Sequence, residues 1–276
     1  MSFQRLIRFV STDGKTLYGD LVKNIPTLEI EGTKVAVLEG DIESGFHRTG
    51  AEATVQKLLC PLPKAHIIQC IGLNYKQHAA EANLKIPEFP MNFTKPPETL
   101  AGPLETIDVD PSAQKQLDYE GELVVVIGRD AKNVSAADAL SCVAGYTTGN
   151  DLSARDWQLP ITPGQQFCYG KSFDKFAPIG PAIVSPSVIP DPQKLHLVTK
   201  VNGKQVQETG TDDMIFSVAQ IIEHLTRGRT LKAGSLVMTG TPSGIGLFIE
   251  GGLLKHGDVV EVTIDEIGSI YNKIAF

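Results

Sequence analysis

The sequence predicts a β-rich α+β protein in which a small N-terminal α+β module, residues 1–65, precedes a larger domain, residues 66–276. Three observations lead there. Short apolar runs recur along the chain, separated by Gly, Asp-Gly and Asn-Gly turns. Only a few segments carry helical spacing, and none is long. Pro61 and Pro63 follow Cys60 at once, where a helix cannot continue, which places a linker over 61–65.

The elements follow in chain order. "RLIRFV", "TLYGDLV" and "KVAVLEG" read as a small meandering sheet, and "TGAEATVQKLLC" from Thr49 reads as a short helix with Val55, Leu58 and Leu59 on one face. "HIIQCIGLN" predicts a buried strand and "YKQHAAEANL" a helix. "KIPEFPMNFTKPPETLAGP" holds five prolines, so an extended loop is expected over 85–103. "LDYEGELVVVIGRD" is a strand opened by two glutamates. "VSAADALSCVAGY" predicts a helix with Ser135 as N-cap, Asp138 in the capping-box position and Gly145 as C-cap. "FAPIGPAIV", "LHLVTKVNG", "SLVMTGT", "DVVEVTID" and "SIYNKIAF" are strands, interrupted by the amphipathic helix "SVAQIIEHLTRG" with Val218, Ile221, Ile222 and Leu225 as its stripe.

Composition narrows the function. A net charge of -7, with no basic cluster interleaved with aromatics, argues against nucleic acid or an anionic membrane as partner. No apolar run approaches the ~20 residues that cross a bilayer. The N-terminal segment has two arginines and no acid before Asp13 but lacks a signal-peptide core, so a soluble cytoplasmic or mitochondrial protein is expected. Cys60, Cys70, Cys142 and Cys168 lack CxxC or zinc spacing and read as reduced core residues. No internal repeat is present.

Glu120 and Glu122 lie two apart on a strand and therefore share a face. Unpaired and half-buried, two like charges would be costly, so a cation must face them, either a basic side chain or a divalent metal. Asp151 in "TTGNDLSARDWQ" follows another apolar stretch after a strand-helix-strand passage, which could return it to the glutamates. It could equally cap a helix from Leu152. Three carboxylates around a dication leave one negative charge, which Lys171 in "GKSFDKF" could balance.

The ordered motifs "YEGELVVVIGRDAKNV", "GYTTGNDLSARDWQ", "GKSFDKFAPIGPAIV" and "TGTPSGIG" resemble the fumarylacetoacetate hydrolase family over roughly residues 66–276. The resemblance implies a mixed β-roll around a divalent metal, Mg²⁺ or Mn²⁺ ahead of Ca²⁺, held by Glu120, Glu122 and Asp151. It implies a small 2-oxo or 2,4-dioxo acid as substrate and a homodimer as the assembly. His78 and Glu81, three apart on a helix, become a general base and its orienting partner, and Lys171 an active-site cation. Arg155, Gln158 and Thr241 become candidates for binding substrate, with a local polar network as the alternative for the first two. The proline-rich stretch would then belong to a lid, and Lys95 could face the site or solvent. Hydrolytic C–C cleavage of an acylpyruvate is the first expectation; oxaloacetate tautomerisation or decarboxylation, and isomerisation or hydration in aromatic catabolism, share the same enolate chemistry.

Overall fold

The computed structural model describes residues 3–158 and 166–276. Its N-terminal strands are β1 (Arg5–Ser11), β2 (Thr16–Asp20), β3 (Lys34–Asp41) and β4 (Gly45–Leu59). Next come β5 (Ile68–Gly72), helix α1 (Lys76–Glu81) and β6 (Met91–Lys95). The centre of the chain supplies β7 (Gly121–Ile127), α2 (Ala136–Ala139), β8 (Val143–Asn150), α3 (Arg155–Gln158) and β9 (Ala177–Val184). The C-terminal part contributes β10 (His196–Val201), β11 (Lys204–Gly210), α4 (Val218–Thr226), β12 (Leu236–Met238), β13 (Val259–Ile264) and β14 (Gly268–Ala275).

A large mixed sheet runs in the order β2-β3-β4-β1-β9-β8-β7-β12-β5-β6. The four N-terminal strands join it through the antiparallel pairing of β1 with β9. A second sheet, β11-β10-β13-β14, packs against the middle of the first. Strand β7 shows how the two meet. Leu123, Val125 and Ile127 face the second sheet with Leu197 and Val262, while Val124 and Val126 face the opposite core with Cys70, Phe93 and Met238. Both faces are buried, so the run is continuously apolar rather than alternating. Gly121 allows the closest approach, because a Cβ there would lie 2.1 Å from Thr199 Oγ1. Since Gly121 faces the second sheet, Glu120 and Glu122 point the other way.

Helix α4 buries its expected stripe, and Ser217 and Gln220 close a reciprocal capping box. Among the described residues no helix is long and apolar enough to cross a membrane.

Several expectations change. Residues 49–59 are strand, not helix. A bulge between the β1 partners Val10 and Ser11, which pair with Lys57 and Val55, turns both Val55 and Leu58 into the N-terminal core. In a regular strand residues three apart face opposite ways; the extra residue mimics helical spacing. The proline-rich stretch is not wholly a loop, for Met91–Lys95 forms the edge strand β6 beside β5. Pro90 and Pro96 flank it, where no ladder donor is required. Helix α2 is shorter than expected, and Gly145 lies in β8, where a Cβ would come 2.6 Å from Val184 O. Ser135 donates its hydroxyl to Asp138 Oδ2 at 2.8 Å and makes no side-chain cap to the backbone. All four cysteines are free, but Cys168 is exposed rather than in the core.

Candidate metal centre and active-site pocket

Backbone register assembles the carboxylates. β7 and β8 are antiparallel, with Gly121 opposite Asn150 and Glu122 opposite Gly149, so the residue that leaves β8 arrives beside the one that enters β7. Asp151 N–H donates to Glu120 O at 2.9 Å, and Glu120 N–H donates to Asn150 Oδ1 at 2.9 Å. Asp151 is thus not the cap of a helix; α3 begins at Arg155. Glu120, Glu122 and Asp151 are all buried and each offers an oxygen within 4.8 Å of the others.

Basic side chains surround two of the three. Lys171 Nζ donates to Glu120 Oε2 at 2.7 Å and to Asp151 Oδ2 at 2.8 Å, and lies 5.0 Å over the Phe93 ring. Lys95, whose direction the sequence left open, is fully buried. It donates to Asp151 Oδ1, to Leu152 O at 3.0 Å and to Phe176 O at 2.6 Å. Arg155 bridges Asp118 Oδ2 at 2.8 Å and Glu120 Oε1 at 2.7 Å, and donates to Gln158 Oε1 at 2.7 Å. The guanidinium therefore belongs to a polar network that holds Glu120, while its edge and Gln158 still line the pocket.

The electrostatics single out Glu122. Burial would raise the Glu120 carboxyl, but Lys171 and Arg155 bring it down to about 2. Glu122 has no such cation. Its Oε2 accepts the Gly240 N–H at 2.7 Å, and burial, then the charges of Asp151 and Glu120, push its carboxyl well above the ordinary range. Burial also lowers Lys95 despite Asp151, whereas Lys171 is raised because Asp151 and Glu120 outweigh its burial. Asp118, Glu120, Glu122 and Asp151 against Lys95, Arg155 and Lys171 leave one negative charge. A dication would turn that into one positive charge, suited to an anionic ligand. The oxygen donor set fits Mg²⁺, Mn²⁺ or Ca²⁺, and Glu122 is the group that lacks a counter-charge without one.

A pocket of ≈ 420 Å³ opens over this centre, reached by Glu120, Arg155, Lys171, His78 and Thr241. His78 projects from α1 with Nδ1 3.0 Å from Glu81 Oε2, and Gly244 N–H donates to Glu81 Oε1 at 2.9 Å. The "TGTPSGIG" segment therefore fixes the orienting carboxylate, a role its sequence did not disclose. It leaves Nε2 as the nitrogen free to act in the pocket. Thr241 Oγ1 donates to Gly121 O at 3.1 Å and accepts from Gln207 Nε2 at 2.9 Å, so it is held in place at the pocket wall. Trp157 is half-buried, its Nε1–H donating to Ser112 O at 2.9 Å.

Sequence reasoning passed over Asp118 and Asn150. Asp118 continues the Glu120–Glu122 alternation one step upstream, a signal that was present. It accepts the Gly246 and Leu247 N–H groups as well as Arg155, tying the β12 exit loop to the centre.

Fold and site together define a sheet-built protein with a buried carboxylate cluster beneath an open pocket. The chain belongs to the fumarylacetoacetate hydrolase family: residues 67–275 match the fumarylacetoacetate (FAA) hydrolase C-terminal family. It is 45% identical over 228 residues to a fumarylacetoacetate hydrolase domain-containing protein 2 homolog of Dictyostelium discoideum, covering 79% of this chain and 74% of that one. It is 45% identical over 222 residues to the oxaloacetate tautomerase YisK of Bacillus subtilis (strain 168), covering 79% and 73%. A crystal structure of 2-hydroxyhepta-2,4-diene-1,7-dioate isomerase from Mycobacterium marinum superposes with a TM-score of 0.83 at 34% identity, over 99% of this chain and 98% of that chain.

Proposed function

We propose that this enzyme catalyses keto–enol proton transfer in a small 2-oxo acid, with oxaloacetate the first substrate to test. The observation that carries the reading is the His78–Glu81 pair, anchored through Gly244 and facing the same pocket as Lys171. Tautomerisation asks for a single group that takes a proton from the carbon beside a carbonyl and returns one to oxygen. His78 Nε2 can do both, because Glu81 holds Nδ1 and stabilises the imidazolium between the two transfers. Similarity to a protein named oxaloacetate tautomerase supports this choice over the acylpyruvate hydrolysis first expected.

Glu120, Glu122 and Asp151 would hold a divalent cation. When bound, it supplies Lewis-acid stabilisation of negative charge on the substrate oxygens. Lys171 adds a fixed positive charge beside Glu120 and Asp151, and Lys95 keeps Asp151 in place from the side away from solvent. Arg155 orients Glu120, and the apolar pocket wall limits water around the enolate. A homodimer belongs to the same proposal and is read by light scattering.

The test mixes enol-rich oxaloacetate with protein loaded with Mg²⁺ or Mn²⁺ and follows loss of the enol's ultraviolet absorbance. Acetylpyruvate and a muconate-type dienoate run in parallel with product analysis. Tautomerisation that vanishes with chelator supports the reading. Cleavage of acetylpyruvate without acceleration of enol decay would replace it with hydrolysis.

A further inference from the structure

The charged groups described in the pocket are all committed. Among the described residues the charged side chains that line it are Glu120, Arg155 and Lys171, and each is engaged in the carboxylate network. None is left to meet a second carboxylate at the far end of a substrate. The wall away from the centre is instead apolar: Leu73, Leu84, Met91, Phe167, Leu247 and Phe248.

Three of these side chains are large and open to solvent. Leu84 is 57% exposed, Met91 47% and Phe248 46%. Apolar surface gathered at a pocket mouth marks a place where ligand covers it. These groups are also firmly placed. Leu84 N–H donates to Ala79 O at 2.9 Å, which fixes it to the helix that carries His78. Phe248 follows Gly246 and Leu247, whose N–H groups bind Asp118, and its ring centroid lies 6.1 Å from that of His78. The apolar wall therefore begins next to the proton-transferring group. A volume of ≈ 420 Å³ is that of a site for a ligand well beyond a four-carbon acid.

We propose that Leu84, Met91 and Phe248 form a subsite for an apolar substituent, so that 2-oxo acids longer than oxaloacetate are preferred when they carry an alkyl or aryl tail rather than a distal carboxylate. The inference rests on the enolisation reading for its chemistry, but its recognition element stands on the pocket wall. The oxo-acid head occupies the carboxylate centre beside Lys171 and His78, and the tail leaves along the wall toward Leu84. Each methylene that moves from water into such a wall improves transition-state binding by about fourfold until the wall is covered.

The experiment uses Mn²⁺-loaded protein and a series from 2-oxobutanoate to 2-oxooctanoate, with oxaloacetate and 2-oxoadipate as dicarboxylates. Proton–deuterium exchange at C3 is followed by NMR, and Kd by calorimetry. The expected result is a rise in kcat/KM of about fourfold per added methylene, with 2-oxoheptanoate at least tenfold better than 2-oxoadipate. In Leu84→Arg, whose side chain points to solvent and whose folding is checked by thermal unfolding, the preference should shift toward 2-oxoadipate. A flat series in both exchange and Kd, or a preference of the native protein for 2-oxoadipate over 2-oxoheptanoate, overturns the subsite. A tail-dependent Kd with no exchange for any acid supports the subsite and overturns the enolisation reading alone.

Discussion

Glu122→Gln separates the cost of the carboxylate cluster from its use. The side chain keeps its shape, and the amide oxygen can still accept the Gly240 N–H that now reaches Oε2 at 2.7 Å. What disappears is a buried negative charge with Glu120 and Asp151 within 4.8 Å. At that distance and an effective dielectric of 20, each like-charge pair repels by about 3 kcal/mol. The charge of Lys171 offsets much of this, leaving a net cost of about 2 kcal/mol in the metal-free protein. Because the folded carboxyl of Glu122 is raised, its contribution to stability is fully present below the ordinary carboxylate value of about 4.5 and is lost as pH climbs through the folded value. The chelated wild type should therefore weaken as pH rises above about 5, and Glu122→Gln should not. At pH 8 the chelated variant should melt roughly 4–8 °C above chelated wild type. Added Mn²⁺ should raise the wild-type midpoint strongly and the variant's little. Thermal unfolding by circular dichroism, with and without chelator at pH 5 and pH 8, reads all four conditions. If the chelated variant melts below wild type at pH 8, or if both gain equally from Mn²⁺, the account of Glu122 as the group that lacks a cation is wrong.

Further substitutions test the remaining parts. His78→Gln should lower kcat for enolisation by about 10²–10⁴ with little change in melting temperature, while Glu81→Gln should cost less and shift the pH–rate profile. Lys95→Met leaves Asp151 with one cationic partner instead of two and should destabilise the chelated protein by about 3 kcal/mol, measured by urea unfolding. Gly121→Ala drives a methyl into Thr199 Oγ1 and should cost about 1–3 kcal/mol; Gly121→Ala combined with Thr199→Gly should recover part of that loss, and no recovery would refute the proposed close approach of the two sheets.

The sequence disclosed the parts of the centre whose chemistry is local. Glu120 and Glu122 announce a shared face, and Asp151 follows a stretch that could return to them, with a helix cap as the equal alternative. Lys171 was the one cation with a reason to fold back, and it does. Lys95 was illegible because its place depends on β6 lying at the edge of β5, and the prolines around it suggested no strand at all. β4 was misread because a bulge gave Val55 and Leu58 the spacing of a helix face, and only its pairing with β1 reveals the extra residue. Gly244 as the anchor of Glu81 depends on two residues 163 positions apart meeting in space, which no local pattern encodes.

The pairing of β7 with β8 acts as a ruler for the centre. Gly121 opposite Asn150 sets the spacing between the glutamates and Asp151, whatever the chain does between Gly128 and Cys142. That excursion leaves the ladder at its other end, where Ile127 pairs with Val143, so its length has no say in how far the three carboxylates lie from one another.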